Sequence, residues 1–157
     1  DSLKELNMHR KVQLIVSGGI RSGADVAKAM AMGADAVSIG SAAMIALNCN
    51  ADMYPEDYEK LGTAAGYCHH CHTGKCPVGV ATQDPELEKR LEPELAGKRV
   101  KNYLATLTLE LQTLARANGK SDVRNLEPED LAALTVEAAA MARVPLAGTN
   151  WIPGHEL

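Results

Sequence analysis

The sequence predicts an α/β fold, and three observations carry that prediction. Two short β-branched runs each end in a glycine-bearing turn that leads into a helical stretch. Aromatic residues are only 3% with no Phe, so Ala, Leu, Val and Met must fill the interior, which suits helices laid on a parallel sheet better than a β-sandwich. The chain has 157 residues, 46% hydrophobic and 23% charged, which is ordinary globular composition and enough for one domain with a core.

Taken in order, Val12–Ser17 is an apolar run closed by Gly18-Gly19 and reads as a buried parallel strand. Ser22 is placed to N-cap a helix over residues 25–32, and Gly33 to end it. Asp35–Ile39 is the second strand, followed by Gly40-Ser41 and a helix over Ala42–Leu47. This βαβα unit requires a right-handed connection. Residues 48–83 hold all four cysteines and several Gly and Pro, and read as a long functional loop with one short helix near Asp57–Leu61. Asp84-Pro85 starts a helix, with Glu86 and Glu88 at its positive end. Val100–Asn118 reads as a long amphipathic helix whose stripe of Leu104, Leu107, Leu111 and Leu114 is core, ended by Gly119. A last helix is expected from Leu126 to about Arg143, before a Pro- and Gly-containing tail over Val144–Leu157.

Composition also excludes. A net charge of −4 provides no basic face, so nucleic acid is not an expected partner. No apolar run approaches the ~20 residues of a membrane span. Asp1–Lys11 is polar and charged rather than a secretory leader, so a cytoplasmic setting is expected. In that reducing compartment, clustered cysteines bind metal or do redox chemistry more often than they form disulfides.

The two glycine turns are the first functional clue. Exposed backbone N–H groups at strand-to-helix turns bind phosphate, and glycine lets the backbone approach it closely. Gly18, Gly19, Gly40 and Ser41 are the candidate phosphate-binding residues, with Arg21 as an added charge. The GGIRSG turn and the later GS pair are similar to the last two strands of several phosphate-binding barrels: inosine monophosphate dehydrogenases, FMN-dependent hydroxyacid oxidases and type 2 isopentenyl isomerases. The bland alternative is two ordinary turns that bind nothing.

The cysteines are the sharper signal. Cys68-x2-Cys71-x4-Cys76-Pro77, preceded by Cys49, lets one loop converge on a metal centre. Soft thiolates suit iron–sulfur clusters and zinc, and proline after the last cysteine is common in ferredoxin-type ligation. For zinc, His69, His70 or His72 would complete a tetrahedral site. The histidines read more naturally as solvated neighbours of the metal, and with Lys75 they would raise a cluster's potential.

The segment CHTGKCPVGVATQDPEL, residues 71–87, resembles the cluster segment of the glutamate synthase family, and GSAAMIALNC, residues 40–49, resembles the helix that precedes it there. The resemblance runs from about Val12 to Arg90 and more loosely to Leu114. It implies the C-terminal part of a (β/α)8 barrel, FMN held at the glycine turns, and a 3Fe–4S cluster on three cysteines, matched in order by Cys49, Cys71 and Cys76. Two departures stand out: an insertion near Asn50–Gly66, and Cys68 as a fourth cysteine. A compact set of Cys68, Cys71 and Cys76, or four thiolates holding 4Fe–4S, therefore stays open, and a leftover Cys would be a small buried hydrophobe. The C-terminal stretch NLEPEDLAALTVEAAAMARVPLAGTNWIPG resembles stand-alone glutamate-synthase-like subunits, including the large subunit of N-methylglutamate synthase.

The resemblance implies electrons entering at the cluster from a ferredoxin or reductase subunit, passing to FMN, and reducing the imine of 2-oxoglutarate and ammonia to glutamate. With methylamine the product would be N-methylglutamate. A glutaminase-type subunit supplying the amine and a homo- or hetero-oligomer are further expectations. The expected organisation is residues 1–48 as the last two βα units of the barrel, 49–83 as the cluster loop and 84–157 as a helical extension. A whole barrel takes roughly 200–250 residues, so the chain is expected to be part of a longer product. Residues gripping the flavin ring and 2-oxo acid would lie on earlier strands, and no catalytic residue is assigned. Three rivals remain: a zinc-stabilised scaffold without redox activity, another phosphate-binding FMN barrel, and an inactive fragment keeping the fold of a subunit interface.

Overall fold

The computed structural model describes residues 2–9 and 11–154. The expectations for the leading polar segment and the tail therefore fall partly on residues 1, 10 and 155–157, outside the described residues. The chain divides into two compact units, Asp1–Ile39 with Leu107–Leu157, and Gly40–Thr106.

The first unit is a βαβ arrangement. After a short helix α1 (Ser2–Glu5), strand β1 (Ile15–Ser17) pairs in parallel with β2 (Ala36–Ser38), Val16 opposite Val37. Leu14 extends the pairing: its N–H donates to Asp35 Oδ2 at 2.7 Å, and its carbonyl accepts from Asp35 N at 2.9 Å. The parallel strand is where the sequence predicts it, but it is not buried. Only the central Val16 and Val37 are half-buried, and Ile15 is 66% exposed. Two paired strands leave both sheet edges and most of one face uncovered among the described residues.

Helix α2 (Gly23–Ala31) connects the strands. Ser22 caps it as expected, in a reciprocal box: Ser22 Oγ accepts from Asp25 N at 3.3 Å, and Asp25 Oδ2 accepts from Ser22 N at 3.2 Å. The helix ends at Met32, and Gly33 follows with φ of +103°. Val26, Ala27 and Ala31 pack on Leu111 and Ala115 of the long helix α6 (Pro93–Ala117) and on Leu126. The approach is close because Gly23 has no side chain. A Cβ there would lie 2.5 Å from the Leu107 carbonyl oxygen.

Two expectations need correction here. The long helix starts at Pro93, not Val100, and Leu104 is exposed on it; the core stripe is Leu107, Leu111 and Leu114. Residues 126–143 are not one helix. Two 3-10 turns, Val123–Asn125 and Pro128–Asp130, come first, then extended Leu131, then helix α7 (Val136–Ala142) capped by Thr135. The chain turns extended at Leu131 and pairs instead, the Ala133 N–H donating to Pro145 O and the Ala147 N–H to Ala133 O, each at 2.8 Å. Ala133 then bridges to Leu146, and Ala133, Ala139 and Val144 form a small core.

The second unit holds helix α3 (Ser41–Ala46), α4 (Pro55–Lys60), a 3-10 turn at Cys71–Thr73, α5 (Pro85–Glu88) and the first turns of α6. Asp84 Oδ1 accepts from Glu86 N at 2.8 Å and Pro85 fills the first helical position, as the sequence indicates. The core of this unit is Tyr58, Cys76 and Val78, with Tyr58 only 1% exposed. No helix among the described residues is long and apolar enough to cross a membrane.

Candidate functional site

Gly18 and Gly19, in the first unit, both take left-handed φ values, +103° and +70°. A Cβ at either would meet nothing within 4 Å, so backbone conformation and not crowding calls for glycine. Just downstream, the helix N-terminus is already occupied by carboxylates. Asp25 Oδ2 accepts from Arg21 N at 3.1 Å as well as from Ser22 N, and Glu110 Oε2 accepts from Gly23 N at 2.7 Å. Lys28 and then the Arg21 N–H hold the Asp25 carboxyl down at about 2, so it stays charged. The two glycines thus form a left-handed turn immediately upstream of a helix N-terminus whose N–H groups are taken. The Arg21 side chain is exposed nearby. Sequence reasoning missed Asp25 and Glu110. The Ser22-x-x-Asp25 spacing carries a capping-box signal; Glu110, 87 positions away, has none.

In the second unit, Gly40 precedes α3 with φ of −121° and no side-chain cap, and Ser41 is the exposed first residue of that helix.

The four cysteines all lie in this second unit, and all are free thiols. Cys49 closes α3, its N–H donating to Met44 O at 3.0 Å, between Asn48 and Asn50, both at positive φ. Cys68 follows the excursion through α4. Cys71 is exposed and opens the 3-10 turn that ends at left-handed Gly74. Cys76 is buried against Tyr58 and Val78.

Several bonds hold this loop. Thr82 Oγ1 donates to Gly74 O at 2.5 Å, Gly79 N to Cys76 O at 3.1 Å, and Lys75 N to Thr73 Oγ1 at 3.2 Å. Gly79 sits at φ of +77° with its α-carbon face against the Leu87 carbonyl, a space that no side chain fits. Arg90 donates to Asp57 Oδ2 at 2.7 Å and Pro77 O at 2.8 Å, and its guanidinium lies 4.1 Å over the Tyr54 ring. One residue, just after α5, thus ties α4 to the cysteine loop. Lys60 and then Arg90 lower the Asp57 carboxyl below its usual range. Neither Arg90 nor Asp57, 33 positions apart, carries a sequence signal for this role.

Burial raises the Cys49 thiol, and the charges of Cys71, Cys76 and Cys68 raise it further. Burial pushes the Tyr58 hydroxyl up to about 12, with Cys68, Cys76 and Cys49 adding to it. Among the described residues, no three His, Cys, Asp or Glu side chains converge at the spacing of a single bound ion. The His69 and His70 rings stack at 4.5 Å, and His70 and His72 at 6.1 Å.

A profile described as a conserved region in glutamate synthase matches residues 1–121, which include both glycine turns and all four cysteines. The chain is 65% identical, over 98% of its length, to a glutamate synthase large subunit-like protein of Rhizobium meliloti (strain 1021). It is 43% identical over 79% of its length to the archaeal glutamate synthase [NADPH] of Methanocaldococcus jannaschii, and 37% identical over 78% to the ferredoxin-dependent glutamate synthase of Cyanidium caldarium. It spans 35%, 21% and 7% of those three proteins, respectively.

Proposed function

The chain belongs to the glutamate synthase family, a family of oxidoreductases, and on that premise we propose that it forms the flavin-phosphate end and the iron–sulfur module of a glutamate synthase-type enzyme. The observation that carries this reading is the matched region itself, in which two glycine-bearing turns and four free cysteines occur together.

The donor set suits a cluster. Four soft sulfurs with no hard carboxylate among them fit iron–sulfur ligation. Zinc would need its ligands about 2.3 Å from one point, whereas a polynuclear cluster gives each thiolate its own iron and tolerates wider spacing. Cys49, Cys71 and Cys76 are the proposed ligands of a 3Fe–4S cluster; Cys68, packed on the same core, would make the set four for 4Fe–4S. Arg90 and Thr82 hold the loop that presents Cys71 and Cys76.

For the FMN phosphate, the proposed binding residues are Gly18, Gly19, Arg21, Gly40 and Ser41. Asp25 and Glu110 already take the first N–H groups of α2, so the phosphate would lie at the glycines upstream and not on that helix N-terminus. The proposed organisation is residues 1–48 as barrel end, 49–83 as cluster loop and 84–157 as helical extension.

When bound, the cluster supplies single electrons and FMN supplies hydride to the imine of 2-oxoglutarate and ammonia or methylamine. The electron source would be a ferredoxin or a reductase subunit; the names of two relatives give NADPH and ferredoxin for those proteins. A glutaminase-type subunit would supply the amine, in a cytoplasmic oligomer whose reducing surroundings keep the thiols free.

Anaerobic purification of the full-length protein with its neighbouring subunits tests this. Iron, acid-labile sulfide and FMN together support it. Colourless protein carrying zinc overturns it in favour of a scaffold, and a cluster without flavin overturns the flavin half.

A further inference from the structure

Between Cys49 and Cys68 the chain leaves for an 18-residue excursion through α4 and returns, and one side chain joins the two ends. Asn50 Oδ1 accepts from Cys68 N at 2.9 Å, and Asn50 Nδ2 donates to Cys68 O at 3.3 Å. The amide thus pairs with the Cys68 backbone as a neighbouring strand would, using one donor and one acceptor. This pairing also decides which way the amide faces. Only its oxygen serves the Cys68 N–H, so the NH2 group is the one beside Cys49, and Nδ2 lies 3.8 Å from Cys49 Sγ. The backbone of Asn50 takes φ of +62°, a left-handed value that Asn, Asp and Gly adopt at low cost. The insertion adds support from its own core: Tyr58, buried beneath Cys68 and Cys76, donates its hydroxyl to Ala51 O at 3.1 Å, one residue beyond Asn50.

We propose that Asn50 is a positioning residue for the thiolate centre, clamping Cys68 beside Cys49 and directing an amide N–H at the Cys49 sulfur. The inference rests on the iron–sulfur reading given above. An N–H donor stabilises the more negative, reduced cluster more than the oxidised one, so it raises the reduction potential. Residues that orient metal ligands without binding the metal typically matter ten- to a hundredfold in metal affinity. The insertion that separates the cysteines thereby carries the device that closes them again.

Two variants of the full-length protein test this, each compared with the parent by iron and sulfide content and by a potentiometric titration followed by EPR. Asn50→Asp keeps the shape, the left-handed backbone and the acceptor for Cys68 N–H, but removes both donated bonds. It is expected to load iron and show a lower cluster potential. Asn50→Gly keeps the backbone and removes the clamp. It is expected to lose iron to a chelator about ten- to a hundredfold more readily, with faster amide exchange at Cys68. Parent protein lacking iron and sulfide would sink the functional reading and this inference with it. Iron-replete parent protein, with an unchanged potential in Asn50→Asp and unchanged iron retention in Asn50→Gly, would overturn this inference alone.

Discussion

Replacing Gly23 by alanine adds one methyl group at the point where α2 crosses α6. An ideal Cβ would lie 2.5 Å from Leu107 O, 2.6 Å from Leu111 N and 2.8 Å from Glu110 Cβ. Two of these three are backbone atoms of a helix, which cannot turn aside as a long side chain can. Non-bonded heavy atoms settle at about 3.5–4.0 Å, so the two helices must separate by about 1 Å there. That separation loosens Val26, Ala27 and Ala31 from Leu111 and Ala115. Overpacking of this kind costs about 1–3 kcal/mol, and straining the Gly23 N–H bond to the Glu110 carboxylate removes part of a further ~1.5–3 kcal/mol. The better helix propensity of alanine offsets at most about 1 kcal/mol. The expected net loss is about 2–4 kcal/mol, or roughly 5–15 °C in Tm at the scale of a domain this size. Thermal unfolding of the full-length protein, with hydrogen exchange resolved to α2, measures it. Gly97→Ala is the control: Gly97 lies in α6 with nothing within 4 Å of its Cβ position, so the same change is expected to stabilise by up to about 1 kcal/mol. A Gly23→Ala protein that melts with the parent, or above it, would refute the close helix crossing.

Other outcomes follow from the same contacts. Ser22→Ala removes the cap of α2 and is expected to cost about 1 kcal/mol in urea unfolding. Asp25 has a folded pKa of about 2, below its model-peptide value of 3.8; its contribution is therefore present above pH 3.8 and lost as pH falls towards 2, and Asp25→Asn should flatten the stability profile in that window. Tyr58→Phe leaves the Ala51 carbonyl without its donor inside the core and should cost about 1 kcal/mol, read by urea denaturation. Arg90→Met removes the bonds to Asp57 and Pro77 O, and hydrogen exchange should rise in both α4 and the Cys76–Gly79 turn; unchanged exchange in either would show that Arg90 does not link them.

Local chemistry was legible where a residue acts on its near neighbours. Ser22 and Asp84 declare helix starts, Gly33 and Gly119 mark ends, and the β-branched runs before Gly18 and Gly40 declare parallel strands, because caps, left-handed turns and period are properties of a few consecutive residues. The cysteine spacing suggested a metal-binding loop for the same reason, and that role stands as a proposal. The expected helix over 126–143 failed because Ala133 pairs in extended form with the chain at Pro145–Ala147, partners that helical periodicity does not report. What only the tertiary structure decided are the partners distant in sequence: Glu110 on Gly23, Arg90 on Asp57 and Pro77, Tyr58 beneath Cys76, and Asn50 across to Cys68. Those contacts depend on which surfaces meet when apolar faces are buried, and no residue's own preferences encode its partner from so far along the chain.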